Sequence, residues 1–175
     1  MYHTSKHLSE KEIIMADTLW TPWRMEYILG DKSNGCIFCH NLSVKQSKKK
    51  LILYHGKFSL VMLNRYPYTN CHLLVAPGKH TDSLDVLTRE ESLNLFLTLR
   101  KSVSILKKAI KPDGFNIGMN LGRIAGAGVE DHLHFHIVPR WSGDTNFMPV
   151  LTESVVVPEH LVKAYERLAP FFRNF

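Results

Sequence analysis

Residues 132–140 read HLHFHIVPR, three histidines alternating with Leu133, Phe135 and Ile137. Alternation with a period of two is the signature of a strand, because successive side chains point to opposite faces of a sheet. His132, His134 and His136 therefore share one face, and the apolar residues share the other. A chain with this segment needs a sheet that carries a packed core on one side and a polar site on the other. At a rise of ~3.3 Å per residue, successive histidines lie about 7 Å apart and the outer pair about 13 Å apart. Zn–N bonds are only about 2.0–2.1 Å long, so one ion cannot collect all three imidazoles. At least one histidine is left for another task.

The surrounding sequence predicts how that sheet is built. LILYHGKFSLVMLN (51–64) reads as two short strands hinged near Gly56, rich in β-branched and aromatic residues. NCHLLVAP (70–77) is a third strand, closed by Pro77-Gly78. Thr88 to Glu91 has capping-box spacing and opens a helix along which Leu93, Phe96, Leu97, Leu99, Val103, Leu106 and Ile110 recur at about three and four. Lys107, Lys108 and Lys111 suit its C-terminal end, and Pro112 stops it. Phe115 to Asn120 is a short strand, and Pro158 to Ala169 reads as a second helix. Strands, helix, strands, helix in this order predict an α+β fold: a mainly antiparallel sheet covered on one face by one long helix and a C-terminal helix.

At 175 residues the chain is expected to form a single domain, 17–175, preceded by a polar extension over 1–16. Met15, followed by ADTLWTPWRM, is a second candidate start, and Leu19 to Leu29 holds enough apolar surface to dock as a short arm. No apolar run approaches the ~20 residues of a membrane helix, and MYHTSKHLSEKEII lacks a signal-peptide core. Three cysteines, two of them at CxxC spacing, point to a reducing compartment, so the chain is expected in the cytoplasm. The net charge of +6 includes the run KQSKKK (45–50), with no aromatic interleaving or nucleic-acid module beside it. It reads as a solvated loop, and the positive field suits a small polyanion such as a nucleotide.

Cys36-Ile37-Phe38-Cys39 is half of a tetrahedral metal site. A thioredoxin-like βαβ context for redox chemistry is absent. The missing ligands must be distant, and His40, His55, His72, His80 and the triad are all available; His40 reads as a surface-loop residue. If His132 completes the site, His134 stays free two residues along the same face. The Gly-rich NLGRIAGAG (120–128) lacks the GxxxxGK[ST] of a P-loop and leads to a strand, unlike a Rossmann fingerprint. Its backbone N–H groups can approach an anion, which places a phosphate between this loop and His134. Arg123 and Arg140 are nearby cations in sequence, and Trp141 and Phe147 are candidates to bound a nucleotide.

CIFC, NRYP, CHLLVAPGKH, the Asn120 to Gly128 loop and HLHFHIV occur in this order, and HLHFHIV fits the His-φ-His-φ-His-φ-φ signature. From about Leu19 to Val150 the sequence resembles the histidine triad superfamily of nucleotide hydrolases and transferases. It looks closest to the bacterial branch that includes diadenosine tetraphosphate phosphorylases. The resemblance implies that His134 is the nucleophile, forming a covalent nucleotidyl-imidazole intermediate, with His136 supporting the site. It implies that Asn64 holds the ribose hydroxyls and that Asn120 with Gly126, Ala127 and Gly128 binds phosphates. It implies a structural zinc on Cys36, Cys39, His80 and His132, and a homodimer. Many hydrolase members carry glutamine where this chain has Gly128, which bears on whether water or inorganic phosphate accepts the nucleotide. The expected activity is phosphorolysis of diadenosine tetraphosphate or a related dinucleoside polyphosphate. Hydrolysis of these substrates or of nucleoside phosphoramidates, a nucleotide-binding sensor and a zinc-stapled structural module are its rivals. Imidazole suits the chemistry, being a competent nucleophile near pH 7 whose adduct divides one hard displacement into two easier ones.

Overall fold

The computed structural model describes residues 35–39, 46–144 and 159–175; the expected extension over 1–16, the arm from Leu19 to Leu29, His40 and Phe147 lie outside them. Strands β1 (Ile52–His55), β2 (Ser59–Leu63) and β3 (Leu73–Pro77) precede helix α1 (Arg89–Ile110). Then come β4 (Gly114–Met119), a 3-10 turn (Arg123–Ala125), β5 (Phe135–Arg140) and helix α2 (Leu161–Phe172). All strand pairs are antiparallel, in the order β1-β2-β3-β5-β4. The fold is the α+β arrangement that the element order predicts.

Alternation sorts the sheet into two unlike faces. Val61, Leu63, Leu73, Val75 and Ile137 join Leu99 and Leu106 of α1 and Leu168 and Phe172 of α2 in the main core. The intervening Leu60, Met62, Leu74 and Ala76 form a smaller cluster with Ile52 and Phe38. His136 stands opposite Leu74 in the β3–β5 register, so it belongs to the second face. The histidines thus lie on the side of the sheet turned away from the helices.

Helix α1 begins as its sequence predicts. Thr88 Oγ1 accepts the Glu91 N–H at 3.2 Å, and Glu91 Oε2 accepts the Thr88 N–H at 2.8 Å. Its inward stripe differs from the apolar count. Leu95, Thr98, Leu99, Ser102, Ile105 and Leu106 are buried, whereas Leu93, Phe96 and Leu97 are exposed. Two inward positions, Thr98 and Ser102, are hydroxyls with hydrogen-bond partners of their own, which is why an apolar count passes over them. Ser59 Oγ donates to Asn94 Oδ1 at 2.7 Å and lies 2.8 Å from Thr98 Oγ1, and Ser102 Oγ donates to the Thr98 carbonyl at 2.8 Å. Buried hydroxyls bonded in this way cost little. Helix α2 starts later than expected, because His160 caps it by accepting the Val162 N–H at 3.3 Å.

Leu106 is fully buried between the helices and the sheet. Leu106→Ala is expected to cost about 2–5 kcal/mol in urea unfolding, and Thr88→Ala about 1 kcal/mol. A Leu106→Ala midpoint indistinguishable from wild type would contradict this packing.

Candidate active site and metal cluster

β5 starts at Phe135, so His132 and His134 precede the ladder instead of lying on one continuous strand with His136. The reason is a competing hydrogen bond: the Leu133 N–H donates to the Thr81 carbonyl at 2.7 Å. This bond ties the segment to the loop that follows β3 and carries His132 to His80. The division of faces persists, for Leu133 is buried and Ile137 lies in the main core.

Cys36, Cys39, His80 and His132 come together, with one donor atom from each all within 4.8 Å of one another. Cys36 Sγ lies 3.2 Å from His132 Nδ1, Cys39 Sγ 3.2 Å from His80 Nδ1 and 3.5 Å from His132 Nδ1, and the two Nδ1 atoms are 3.3 Å apart. A tetrahedral ion with bonds of about 2.0–2.3 Å sets its ligand atoms roughly 3.3–3.8 Å apart. The donor set therefore fits a four-coordinate metal. Its imidazoles are aimed from behind, as metal-binding histidines require. His132 Nε2–H donates to the Pro77 carbonyl at 2.9 Å, which leaves Nδ1 unprotonated toward the cluster, and His80 Nε2 lies 3.5 Å from Asp131 Oδ2. Burial, reinforced by Cys36, pushes the Cys39 thiol up to about 11, so a metal must displace a proton there. His55, another histidine available as a ligand, stands on β1 outside this cluster.

His134 is buried at 4% exposure, and its Nδ1 lies 2.9 Å from the His132 carbonyl. A carbonyl can only accept, so Nδ1 carries the proton and Nε2 carries the lone pair. Burial lowers its pKa, so the imidazole is neutral. His136 is set by a second chain of the same kind. The Tyr68 N–H donates to His72 Nδ1 at 3.1 Å, and Asn64 Nδ2 lies 3.3 Å from the same atom. His72 Nδ1 is thus an acceptor, so its Nε2–H donates to His136 Nδ1 at 2.9 Å. The remaining proton of His136 sits on Nε2, a buried atom with no partner among the described residues. Burial first, then the neighbouring imidazoles, bring His72 down to about 3 and His136 to about 4.

The other expected site residues are placed less simply. The Asn64 carboxamide is turned inward, with Oδ1 accepting the Tyr66 N–H at 2.9 Å. Asn120 Nδ2 donates to the Gly126 carbonyl at 3.3 Å. The loop folds on itself, the Gly126 N–H donating to Arg123 O at 2.9 Å and the Ala127 N–H to Gly122 O at 3.3 Å. Gly122 and Gly126 take φ of 78° and 87°, which glycine adopts without strain. Arg123 is exposed, 3.8 Å from Glu130. Arg140 is committed elsewhere: it grips Asp144 with two hydrogen bonds at 2.6 and 2.9 Å and Asn116 with one at 3.0 Å.

The sequence model of the HIT domain matches residues 45–143. The chain belongs to the HIT domain family. It is 35% identical over 151 residues to an AP-4-A phosphorylase of Mycobacterium tuberculosis, covering 82% of this chain and 77% of that one. A solved structure of a hypothetical histidine triad nucleotide-binding protein from Sulfolobus tokodaii is 26% identical with a TM-score of 0.62, covering 79% of this chain and 93% of that one. A Zn-bound histidine triad family protein from Mycobacterium smegmatis shares the fold at 24% identity and a TM-score of 0.63, covering 81% of this chain and 96% of that one.

Within this HIT domain, His72 is the site residue that sequence reasoning undervalued, treating it only as one of several free metal ligands. Its place directly before the apolar run of β3 is visible in the sequence, but the pairing of β3 with β5 that gives it its role is not.

Because His72 and His136 titrate lower in the folded protein than in the unfolded chain, the unfolded state binds more protons below about pH 6.5. Stability therefore falls as pH drops from 6.5 toward 4, by up to about 1.4 kcal/mol per pH unit for each histidine. His136→Gln should remove one histidine's share of that slope, read from urea midpoints across this range. An unchanged slope would show that His136 is not held neutral.

Proposed function

We propose that the protein is a nucleotidyltransferase that cleaves diadenosine tetraphosphate, or a related dinucleoside polyphosphate, with inorganic phosphate as acceptor. The observation that carries this reading is the buried, neutral His134. Its Nε2 lone pair is fixed by the Nδ1–H bond to the His132 carbonyl. The chemistry follows from that atom. His134 Nε2 attacks an α-phosphorus, the bond to the bridging oxygen breaks, and ATP leaves. The nucleotidyl group stays on the imidazole, and phosphate then displaces it as ADP. The resemblance of more than four-fifths of the chain to an AP-4-A phosphorylase supports phosphate as acceptor.

The His136 ring lies beside the attacking ring, the two centroids being 5.0 Å apart, and its Nε2–H, without a partner among the described residues, is assigned to a phosphoryl oxygen. Asn64 is assigned to the ribose; its contact to His72 uses one amide hydrogen of two. Asn120, Gly126, Ala127 and Gly128 are assigned to the phosphates, which requires the Gly126 and Ala127 N–H groups to exchange their internal partners for phosphate oxygens. Cys36, Cys39, His80 and His132 are assigned to one structural zinc, with all four positions taken by protein. Two copies are proposed to join through β4, an edge strand among the described residues, and the exposed Leu93, Phe96 and Leu97 of α1. Cys36, Cys39 and Cys71 form no disulfide, which suits a cytoplasmic setting.

Incubation with diadenosine tetraphosphate and phosphate should yield ADP plus ATP, and His134→Ala should lower turnover on the order of 10⁴-fold or more. AMP plus ATP regardless of phosphate would replace the phosphorylase with a hydrolase. Nucleotide binding without turnover would leave a sensor. Metal analysis should find one zinc per chain, largely lost in His80→Ala; full retention in that variant would refute the ligand set.

A further inference from the structure

Phe38 stands between the cysteines of CIFC and is 2% exposed. One side of this segment is the metal cluster, since Cys36 and Cys39 each approach His132 Nδ1. The Phe38 ring lies against two imidazoles, 4.9 Å from the His132 ring centroid at 49° and 5.2 Å from that of His134 at 34°. It also belongs to the small core on the histidine face, with Ile52, Leu60, Met62, Leu74 and Ala76. A single phenyl ring therefore touches a metal-cluster imidazole, the proposed nucleophile and the sheet.

We propose that Phe38 is a positioning residue for His134, and that the metal cluster governs the reaction through it. The proposal rests on the assignment of His134 as nucleophile and of the four donors to a metal. The reasoning is mechanical. The bond from His134 Nδ1–H to the His132 carbonyl fixes which nitrogen is protonated but leaves the ring free to swing about that bond. A wall is needed to fix the ring plane, and Phe38 supplies one. The segment of Phe38 is tight, the Cys39 N–H donating to the Cys36 carbonyl at 3.1 Å, so the ring's position follows from where the flanking thiols are held. When both thiols share an ion with His132, the Phe38 wall and the His132 carbonyl are fixed relative to one another. His134 is then held by both at once. When the thiols are released, the Phe38 ring keeps its burial but loses its registration against His134. Displacements of about 1 Å in such a position can cost up to ~10²-fold in rate.

The test compares full-length wild type, Phe38→Ala and Phe38→Leu, each with zinc bound and after chelation. Ring-nitrogen NMR of His134 without substrate is read beside kcat and KM. With zinc bound, wild type should show one His134 tautomer, protonated at Nδ1. Phe38→Ala with zinc retained, and wild type without zinc, should both show broadened or multiple His134 signals from a ring that samples more than one orientation, with the proton still on Nδ1. Both should also lose roughly 10-fold to 100-fold in kcat with little change in KM. Phe38→Leu, which keeps a wall, should recover most of the kcat. Removing zinc from Phe38→Ala should add little, because the two changes act through one contact. An unperturbed His134 spectrum and wild-type kcat in zinc-loaded Phe38→Ala would overturn the proposal, as would losses that simply multiply. If Phe38→Ala does not fold, an unchanged wild-type His134 spectrum after chelation overturns it. If chelation unfolds the wild type, the zinc-loaded variants decide. Full turnover by His134→Ala would instead sink the assignment of the nucleophile, whereas an inactive His134→Ala beside a fully active Phe38→Ala sinks only the role of Phe38.

Discussion

Burial of imidazoles on one face of the sheet is the constraint from which the rest of the site follows. His72, His132 and His134 are buried and His136 is largely so, and a buried imidazolium without a counter-charge is costly. Neutral rings carry one donor and one acceptor each, so every ring must be hydrogen bonded in a definite direction. The backbone supplies that direction. The Pro77 and His132 carbonyls fix the protons of His132 and His134, and the Tyr68 N–H fixes His72 and through it His136. The alternation that gathers the histidines also removes them from the helices, so main core and site are built on opposite faces of the same strands.

The sequence made some of this legible and hid the rest, for physical reasons. Period-two alternation in HLHFHIVPR survives because one face of β5 must be apolar, and it marks the histidine face even though the ladder begins only at Phe135. The capping box of α1 depends on residues three apart and is visible locally. An apolar count passes over the inward stripe of α1 because Thr98 and Ser102 are buried polar residues, Thr98 meeting Ser59 from a distant strand and Ser102 the carbonyl of Thr98 one turn earlier. The same limit hid His72. Its role depends on which strand lies beside β3, a fact of topology that no local pattern contains. Cys36, Cys39, His80 and His132 span nearly a hundred residues, and only the family resemblance selected His80 among the free histidines.

The Gly-rich loop marks a different limit. Its glycines show that the backbone turns through left-handed conformations, and Gly122 and Gly126 do so. The pattern does not show where the N–H groups go. Those of Gly126 and Ala127 close the loop on itself, so the loop is a preformed turn with exchangeable bonds and not a set of waiting donors. A phosphate that takes over such bonds gains less than one meeting unpaired N–H groups, since it must replace what it breaks. In the proposed reaction this shifts the weight of anion recognition toward His136 Nε2–H, which is buried and has no partner among the described residues.

The direction of the proton on His134 has a further consequence for the proposed reaction. Attack by Nε2 of a neutral imidazole needs no base to remove a proton first, because the attacking atom carries none. The adduct is an imidazolium in which Nδ1–H still points at the His132 carbonyl. That hydrogen bond is between neutral groups before attack and charge-assisted after it, so it strengthens as positive charge develops on the ring. Interactions that grow toward the transition state raise the rate, and those of constant strength do not. The carbonyl sits in the backbone of a residue whose imidazole belongs to the metal cluster, so the dipole is already oriented and needs no rearrangement during the step. A reversed tautomer would forfeit both advantages, presenting a protonated Nε2 to the phosphorus and a lone pair to a carbonyl oxygen.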